Sequence, residues 1–276
     1  MLPHRTQEQD PTSGAQAGTM KAEKEGSIGW ITFDNPAHRN AVSMAMWQAL
    51  RRIVDEFSAD AGIHAIVVKG AGDKAFVSGA DISEFAEKRS SPETVRSYNR
   101  VAEEATEALK LARMPTIAMI RGFCIGGGMS VALSCDLRIA AHGAKFGVPA
   151  ARLGLGYEYK GVRKLVEVVG PSFAKEIFFT ARQFTADEAL AMGLVNRLVP
   201  DVDLAAFVRG YAQTVADNAP MTVASIKTIV EEVLKDESTR DLALCQRVVD
   251  RCFDSADYVE GRTAFMEKRK PVFTGR

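Results

Sequence analysis

Apolar residues recur with two different periods along the chain. Four continuous apolar runs have the length of buried β-strands: residues 27–34, 63–72, 116–120 and 136–141. Between the first two runs the period becomes that of a helix. Six apolar residues that follow Ser43 then share one face: Met46, Trp47, Leu50, Ile53, Val54 and Phe57. Because strands alternate with helices, the pattern predicts an α/β core.

The pattern is mostly helical beyond residue 160. Thr185 is placed to cap a short helix, with Glu188 at the capping-box position and Gly193 at the helix end. Apolar residues at helical spacing then predict three amphipathic segments, which are residues 203–217, 221–235 and 238–268.

These patterns divide the chain into three parts. Residues 1–19 begin with a stretch rich in Pro, Gly, Gln, Ser and Thr that lacks the apolar centre of a signal peptide, so we expect a disordered tail. Residues 20–200 form the α/β core that carries the site, and residues 201–276 form a helical region. Within the core, the charged stretch 83–100 is expected to be mobile, either as a solvated connection or as a lid.

Composition excludes several classes of function. Positive and negative residues balance to a formal net charge of zero, which gives no reason to expect a nucleic-acid partner. No apolar run reaches the roughly 18 residues that a membrane span needs, so no membrane partner is expected. The four cysteines form no CxxC pair, and HExxH is absent, so we expect no metal site. Reduced thiols of this kind are typical of a cytoplasmic protein.

Two glycine turns carry the candidate chemistry. Gly126, Gly127 and Gly128 stand in front of an apolar helical run, and Ser78, Gly79 and Ala80 follow another strand. A helix N-terminus offers unpaired N–H groups and a positive dipole end, and glycine lets a ligand approach the backbone closely. The two turns therefore predict an oxyanion hole with one N–H from each. The alternative is that the glycines only allow close packing of strand and helix.

Five segments, in order, resemble the enoyl-CoA hydratase/isomerase family, the crotonases: AFVSGADI, RGFCIGGGMSVALSCDLRIAA, AKFGVPAARLGLG, ARQFTADEALAMGLVNRLVP and AFMEKRKPVF. The resemblance runs from about Ser27 to Phe273. It implies a crotonase-like α/β spiral of ββα turns and a C-terminal helical region that builds homotrimers, or hexamers as dimers of trimers. It also implies an acyl-CoA thioester as substrate and no separate cofactor.

The resemblance also assigns roles in the site. The thioester oxygen is expected between the N–H groups of Ala80 and Gly127, where an enolate would be stabilised. Arg39 is a candidate partner for the CoA phosphates. The other expected substrate contacts are Ser78, Gly79, Asp81, Ile82, Gly126, Gly128 and Pro149, with Phe265 and Lys268 from a neighbouring subunit. For Lys268 the alternative is a solvated basic helix end.

This chain departs from hydrating members of the family at two positions. Where those enzymes carry glutamates, it has Ser130 and Ala150. Since neither side chain is a carboxylate base, we expect conventional hydration to be weak or absent. Glu158 falls where dienoyl-CoA isomerases of the family carry an acidic residue. If Glu158 faces an apolar pocket, it would be the general base, while Tyr157 would orient the thioester or donate a proton.

The sequence therefore favours an enzyme of isomerase type that moves a proton through a thioester enolate. Conventional hydration, decarboxylation and thioester hydrolysis stay open as alternatives on the same site. A non-catalytic acyl-CoA-binding protein is the alternative of another class. Glu158 discriminates between these classes: a buried Glu158 aimed at the substrate supports an enzyme. A solvent-facing Glu158, paired with Lys160 or Arg163, favours binding alone.

Overall fold

The buried apolar runs become strands of two sheets in the computed structural model, which describes residues 18–81 and 91–276. The larger sheet contains, in spatial order, β1 (Thr19–Glu25), β2 (Ile28–Asp34), β3 (Ala65–Gly70), β5 (Thr116–Ile120), β7 (Leu137–Ala141) and β10 (Arg197–Val199). The smaller sheet contains β4 (Ala75–Val77), β6 (Phe123–Ile125), β8 (Lys145–Gly147) and β9 (Phe184–Thr185). Only the outer strands β1 and β9 pair antiparallel among the described strands.

The helices cover the sheets and fill the C-terminal part of the chain. They are α1 (Met44–Ala59), α2 (Pro92–Lys110), α3 (Gly127–Ser134), α4 (Tyr159–Thr180), α5 (Ala186–Ala191), α6 (Leu204–Ala216), α7 (Pro220–Val233), α8 (Leu242–Phe253) and α9 (Ala256–Glu267). Short 3₁₀ turns occupy Pro36–His38, Ala150–Leu153 and Glu237–Thr239. No described helix is both long enough and apolar enough to cross a membrane.

The chain winds as a spiral. Each turn places one strand in the larger sheet, the next in the smaller sheet, and then a helix: β3–β4–α2, β5–β6–α3 and β7–β8–α4. Because successive turns pair in parallel, the carboxyl ends of β4, β6 and β8 lie side by side. The predicted α/β spiral of ββα turns is therefore the observed architecture.

The larger sheet is buried on both faces, which explains the continuous apolar runs. In β3, Val67 faces the layer formed with Leu204 and Val208 of α6, whereas Val68 faces the layer between the sheets, with Leu50 of α1. Successive side chains of a strand point to opposite faces of its sheet, and in β3 both faces meet apolar partners.

The predicted helix signals are confirmed at two places. The Ser43 hydroxyl accepts the Met46 N–H at 3.3 Å at the start of α1, whose Trp47 is buried. In α5, Thr185 and Glu188 form the reciprocal capping box, with the Thr185 N–H donating to Glu188 at 2.7 Å.

Three expected boundaries are wrong. The tail was expected to reach residue 19, but Thr19 begins β1; residues 1–17 lie outside the described residues. The segment expected to be mobile is a helix from Pro92 onward, capped by Ser91, while residues 83–90 of that segment lie outside the described residues. The predicted helix 238–268 is two helices, because Ser255 starts a new helix by accepting the Tyr258 N–H at 3.1 Å.

Asn40 is a polar residue on which the packing of the strand ends depends. It is fully buried, and its side chain donates to the carbonyls of Ala71 and Ala75 and accepts the Asn35 N–H, at 2.9, 2.8 and 3.0 Å.

We expect Asn40→Ala to lower the free energy of unfolding by about 3 kcal/mol, since three backbone groups lose their partner. Urea unfolding followed by circular dichroism measures this. Asn218→Ala, which removes one exposed bond, is the control and should change stability by less than about 0.5 kcal/mol.

Candidate active site

The two glycine turns lie side by side. They follow β4 and β6, which are parallel neighbours, so both turns leave the smaller sheet at the same edge. A Cβ atom placed on Gly127 would lie 3.5 Å from the carbonyl carbon of Gly79 and 3.6 Å from the nitrogen of Ala80. The structure thus brings together the two backbone segments that the sequence analysis paired.

The N–H groups of Ala80 and Gly127 are both free of backbone partners within the described residues. Val42 bonds to both neighbours of Ala80: its N–H donates to Gly79 at 2.9 Å, and its carbonyl accepts the Asp81 N–H at 3.0 Å. In such a parallel bridge the N–H of Ala80 itself points away from Val42. Gly127 is the first residue of α3, where no intrahelical acceptor exists. Two donors therefore remain available beside each other.

Gly126 and Gly128 of the second turn are glycines for different physical reasons. Gly126 has φ of +53°, a left-handed conformation that glycine adopts without strain. A Cβ on Gly128 would lie 2.2 Å from the Val77 carbonyl oxygen, so the helix touches β4 here without room for a side chain. Close packing therefore accounts for Gly128, while Gly127 stands next to Ala80 with only ordinary contacts.

The far end of α3 is fixed by Arg138, a residue that the sequence analysis missed. Its guanidinium is buried and donates to the carbonyls of Cys135 and Ala132 at 2.7 and 3.3 Å and to that of Leu194 at 2.8 Å. Burial lowers the pKa of Arg138, yet its charge complements the negative end of the helix dipole. The only sequence signal is an arginine inside the apolar run of β7.

A small cavity lies against the side of α3. Its volume is about 20 Å³, which is room for about one water molecule, and Ser130, Tyr157 and Lys164 line it. The apolar part of the lining consists of Met129, Leu133, Val148, Leu165 and Phe178. The Ser130 hydroxyl makes no hydrogen bond within the described part of the chain. The Tyr157 ring packs edge-on against Phe178, with centroids 4.9 Å apart.

The position of Glu158 matches neither the expected base facing an apolar pocket nor the expected surface ion pair with Lys160 or Arg163. It is exposed, it does not line the cavity, and its carboxylate accepts the side-chain N–H of Asn99 at 2.9 Å. The apolar environment expected of a general base is thus absent. The expected surface pairing is wrong as well, since Lys160 and Arg163 pair with other glutamates. Solvent exposure is the outcome that the sequence analysis associated with binding alone.

The loop that carries Arg39 contacts the first glycine turn. The Ser78 N–H donates to the Arg39 carbonyl at 3.2 Å, and the Ser78 hydroxyl donates to the His38 carbonyl at 3.2 Å. The Arg39 guanidinium is exposed and lies 5.2 Å from the centre of the Phe123 ring. An exposed cation therefore stands at the edge of the two turns.

Of the remaining predicted site residues, Pro149 lies next to the cavity, whereas Phe265 and Lys268 do not line it. Pro149 precedes the 3₁₀ turn that begins with buried Ala150, next to the cavity residue Val148. Ile82 lies outside the described residues. Phe265 and Lys268 are exposed on and just after α9, and neither lines the cavity of its own chain.

The cysteines contribute no nucleophile to this site. All four are free thiols. Cys124 and Cys135 are buried, and burial raises the pKa of Cys135 to about 12, which keeps it a neutral thiol at physiological pH. Within the described ranges, no three His, Cys, Asp or Glu side chains are arranged to hold a metal ion.

Neighbouring glycines give a test of this packing. Gly128→Ala would force its Cβ against the Val77 carbonyl, so we expect the free energy of unfolding to fall by at least about 2 kcal/mol. Gly127→Ala is the matched control: its nearest contacts are 3.4 Å or longer, and stability should stay within about 1 kcal/mol of wild type. Urea denaturation of both variants measures the difference, and equal losses would contradict the described contact.

The chain is similar to known proteins over most of its length. The Enoyl-CoA hydratase/isomerase family pattern matches residues 23–276. The chain is 35% identical over 248 residues to the short-chain-enoyl-CoA hydratase of Clostridium acetobutylicum, covering 90% of this chain and 94% of that protein. It is 32% identical over 254 residues to the crotonyl-CoA hydratase of Syntrophomonas wolfei, covering 92% and 97%.

The fold is also similar to those of solved structures. An enoyl-CoA hydratase/carnithine racemase from Magnetospirillum magneticum matches with a TM-score of 0.88 at 36% identity, covering 93% of this chain and 96% of that one. The resemblance and the crotonase-like fold inferred from the sequence are therefore confirmed. The chain belongs to the enoyl-CoA hydratase/isomerase family of enzymes.

Proposed function

We propose that this protein acts on an acyl-CoA thioester and stabilises its enolate between the N–H groups of Ala80 and Gly127. The observation that carries the proposal is the adjacency of these two backbone donors, neither of which has a backbone partner within the described residues. Both are fixed by the fold before substrate binds, so no reorganisation is needed when negative charge develops on the thioester oxygen. Losing one such donor typically costs about 2.7–4 kcal/mol of transition-state stabilisation.

We favour an isomerase-type reaction because it needs a single base beside the oxyanion hole, whereas hydrating members of the family use two glutamates and the cavity lining contains none. By the family resemblance, Ser130 and Ala150 replace the two glutamates of hydrating members. The Ser130 hydroxyl can hold a water molecule, but it is a poor base without an activating partner. The relatives named above are hydratases, so conventional hydration is the alternative that the experiment must exclude. Decarboxylation and thioester hydrolysis are further outcomes on the same oxyanion hole.

In the proposed reaction Glu158 moves the proton. A base removes a proton from the α-carbon of a 3-enoyl thioester, the charge spreads to the thioester oxygen, and a proton returns at the γ-carbon to give the 2-enoyl product. Glu158 directly follows Tyr157, which lines the cavity, although the Glu158 side chain itself does not line it. Its bond to Asn99 orients it from α2. Tyr157 is the proposed proton donor or thioester-orienting group.

A second candidate is a non-catalytic acyl-CoA-binding protein. The exposure of Glu158 favours it, because a solvated carboxylate hydrogen-bonded to Asn99 is a weaker base than one in an apolar pocket. This candidate keeps the oxyanion hole and its affinity for the thioester. It differs from the enzyme in producing no exchange at the α-carbon.

The proposal includes the partners of the site. We propose that Arg39 binds the CoA phosphates and that no cofactor is needed beyond the CoA of the substrate. A cytoplasmic location is consistent with the four free thiols. We further propose a homotrimer, or a hexamer of two trimers, in which Phe265 and Lys268 complete a neighbour's site.

The first test incubates a 3-enoyl-CoA and a 2-enoyl-CoA with the enzyme in heavy water and analyses the products by mass spectrometry. We expect a deuterated isomer from the wild type and about a 10²- to 10⁴-fold lower rate from Glu158→Gln, the usual effect of losing a positioned base. Glu167→Gln is the matched control, since Glu167 is a glutamate of α4, the helix that Glu158 immediately precedes, but it pairs with Arg163 and does not line the cavity.

The other outcomes separate the alternatives. Deuterated isomer formed at the same rate by Glu158→Gln would keep the enolate and reject Glu158 as base. Water addition unaffected by the substitution would indicate conventional hydration. Binding of both thioesters without exchange at the α-carbon would favour the non-catalytic protein.

The proposed trimer is tested at the exposed apolar C-terminus. Phe265 and Met266 are 83% and 79% exposed in the single chain, which is unusual for adjacent large apolar residues. We expect Phe265→Ser with Met266→Ser to convert the trimer or hexamer into smaller species in sedimentation velocity. Val202→Ser, at an 89% exposed position in the turn before α6, should leave the mass unchanged. A wild-type monomer would refute the proposed assembly.

A further inference from the structure

Trp47 and Tyr98 form a buried pair of polar aromatic side chains near the first glycine turn. The indole N–H of Trp47, on α1, donates to the hydroxyl oxygen of Tyr98, on α2, at 2.8 Å. The two residues are 2% and 3% exposed. A tyrosine hydroxyl that accepts one hydrogen bond still has its own proton to donate, and that of Tyr98 donates to the Val42 carbonyl at 3.4 Å. Two helices are thereby joined to Val42.

Val42 holds the peptide unit that carries the Ala80 N–H. The Val42 N–H donates to the Gly79 carbonyl at 2.9 Å, and the Val42 carbonyl accepts the Asp81 N–H at 3.0 Å. The Gly79 carbonyl and the Ala80 N–H belong to one planar peptide unit and point in opposite directions. The bond that fixes the carbonyl therefore also fixes the direction of the N–H. Val42 is fully buried, so bulk water does not compete for these bonds.

Trp47 also contacts the second glycine turn. A Cβ atom placed on Gly127 would lie 3.4 Å from Cζ2 of the Trp47 ring. The edge of the indole ring thus lies beside the residue whose N–H is the other proposed donor. Trp47 and Tyr98 together therefore reach both backbone segments of the proposed oxyanion hole, the second turn by packing on Gly127 and the first turn by a hydrogen bond to Val42.

We propose that Tyr98 and Trp47 are positioning residues, which hold Val42 and with it the Ala80 N–H in the direction that the thioester oxygen requires. A hydroxyl that accepts a hydrogen bond is polarised and donates a stronger one, so Trp47 strengthens the bond from Tyr98 to Val42. This inference rests on the proposed function, because it assumes that the thioester oxygen binds the N–H groups of Ala80 and Gly127. Neither aromatic side chain is assigned a proton transfer.

A purely structural role of the pair is the alternative. Both residues belong to the hydrophobic core, and the loss of a buried hydrogen bond lowers stability wherever it lies. Such a loss would change the affinity for all ligands of the site to the same extent. A positioning role changes the affinity for ligands that carry the thioester oxygen and leaves the affinity for ligands that lack it. Two such ligands therefore distinguish the roles.

The test compares a saturated thioester with the matching thioether by isothermal titration calorimetry. Butyryl-CoA carries the carbonyl oxygen, and S-butyl-CoA has a methylene group in place of the carbonyl. We expect the full-length wild type to bind butyryl-CoA about 5- to 100-fold more tightly, because two hydrogen bonds hold the oxygen. Tyr98→Phe should reduce this preference by about 3- to 10-fold, the contribution of one bond, with the affinity for S-butyl-CoA within about twofold of wild type.

The matched control is Tyr211→Phe. Tyr211 lies on α6, packs against the other face of the larger sheet and stacks on Phe207, with ring centroids 6.0 Å apart. The control removes the same hydroxyl group, so it should keep the wild-type preference for butyryl-CoA. Trp47→Phe is a second variant, which removes the indole donor to Tyr98 and should also reduce the preference. Circular dichroism verifies folding, and Trp47→Phe decides the question where Tyr98→Phe does not fold.

Failure of this inference is distinguishable from failure of the proposed function. A wild-type preference that survives in the folded variant, including the case in which both affinities fall equally, overturns the positioning role and leaves the proposed function intact. A wild type that binds neither ligand, or binds both equally, rejects the proposed oxyanion hole, and the inference falls with it.

Discussion

The contact between Gly128 and the Val77 carbonyl is the constraint on which the site depends. At 2.2 Å from a virtual Cβ to that oxygen, only glycine lets α3 lie directly against β4. β4 and β6 are parallel neighbours, so this contact also brings the turns after the two strands together. The N–H groups of Ala80 and Gly127 become adjacent as a result. The adjacency of the two N–H groups is thus a property of the backbone and follows from the spiral.

The helix that carries this site is short and is held by its surroundings. Isolated helices as short as α3 are unstable in water, so burial and its end contacts must maintain it. Arg138 satisfies carbonyls at the C-terminal end, and its charge complements the dipole there. Lys164 ties the same end to α2 and α4 through Ser134 and Thr106. The N-terminal end is the one that the proposed substrate contacts.

The sequence predicted what local contacts determine. The apolar face of α1 and the capping box of Thr185 depend on residues three or four positions apart, and both are as expected. β1 was missed because its charged sequence is that of an exposed edge strand, stabilised by pairing with β2. The positions of Glu158 and Lys164 were unpredictable for a related reason. Their partners lie on α2, more than fifty residues earlier in the chain.

The distribution of polar groups constrains the chemistry beyond the family assignment. The residues with polar side chains that line the cavity are Ser130, Tyr157 and Lys164, and each of these side chains can donate a hydrogen bond. Such an interior stabilises negative charge and cannot readily accept a proton. In the proposed reaction the base therefore has to come from outside the cavity lining, and this is the role proposed for Glu158. In this proposal the spiral supplies the enolate-stabilising donors through its backbone, so the side chains around α3 decide which reaction follows.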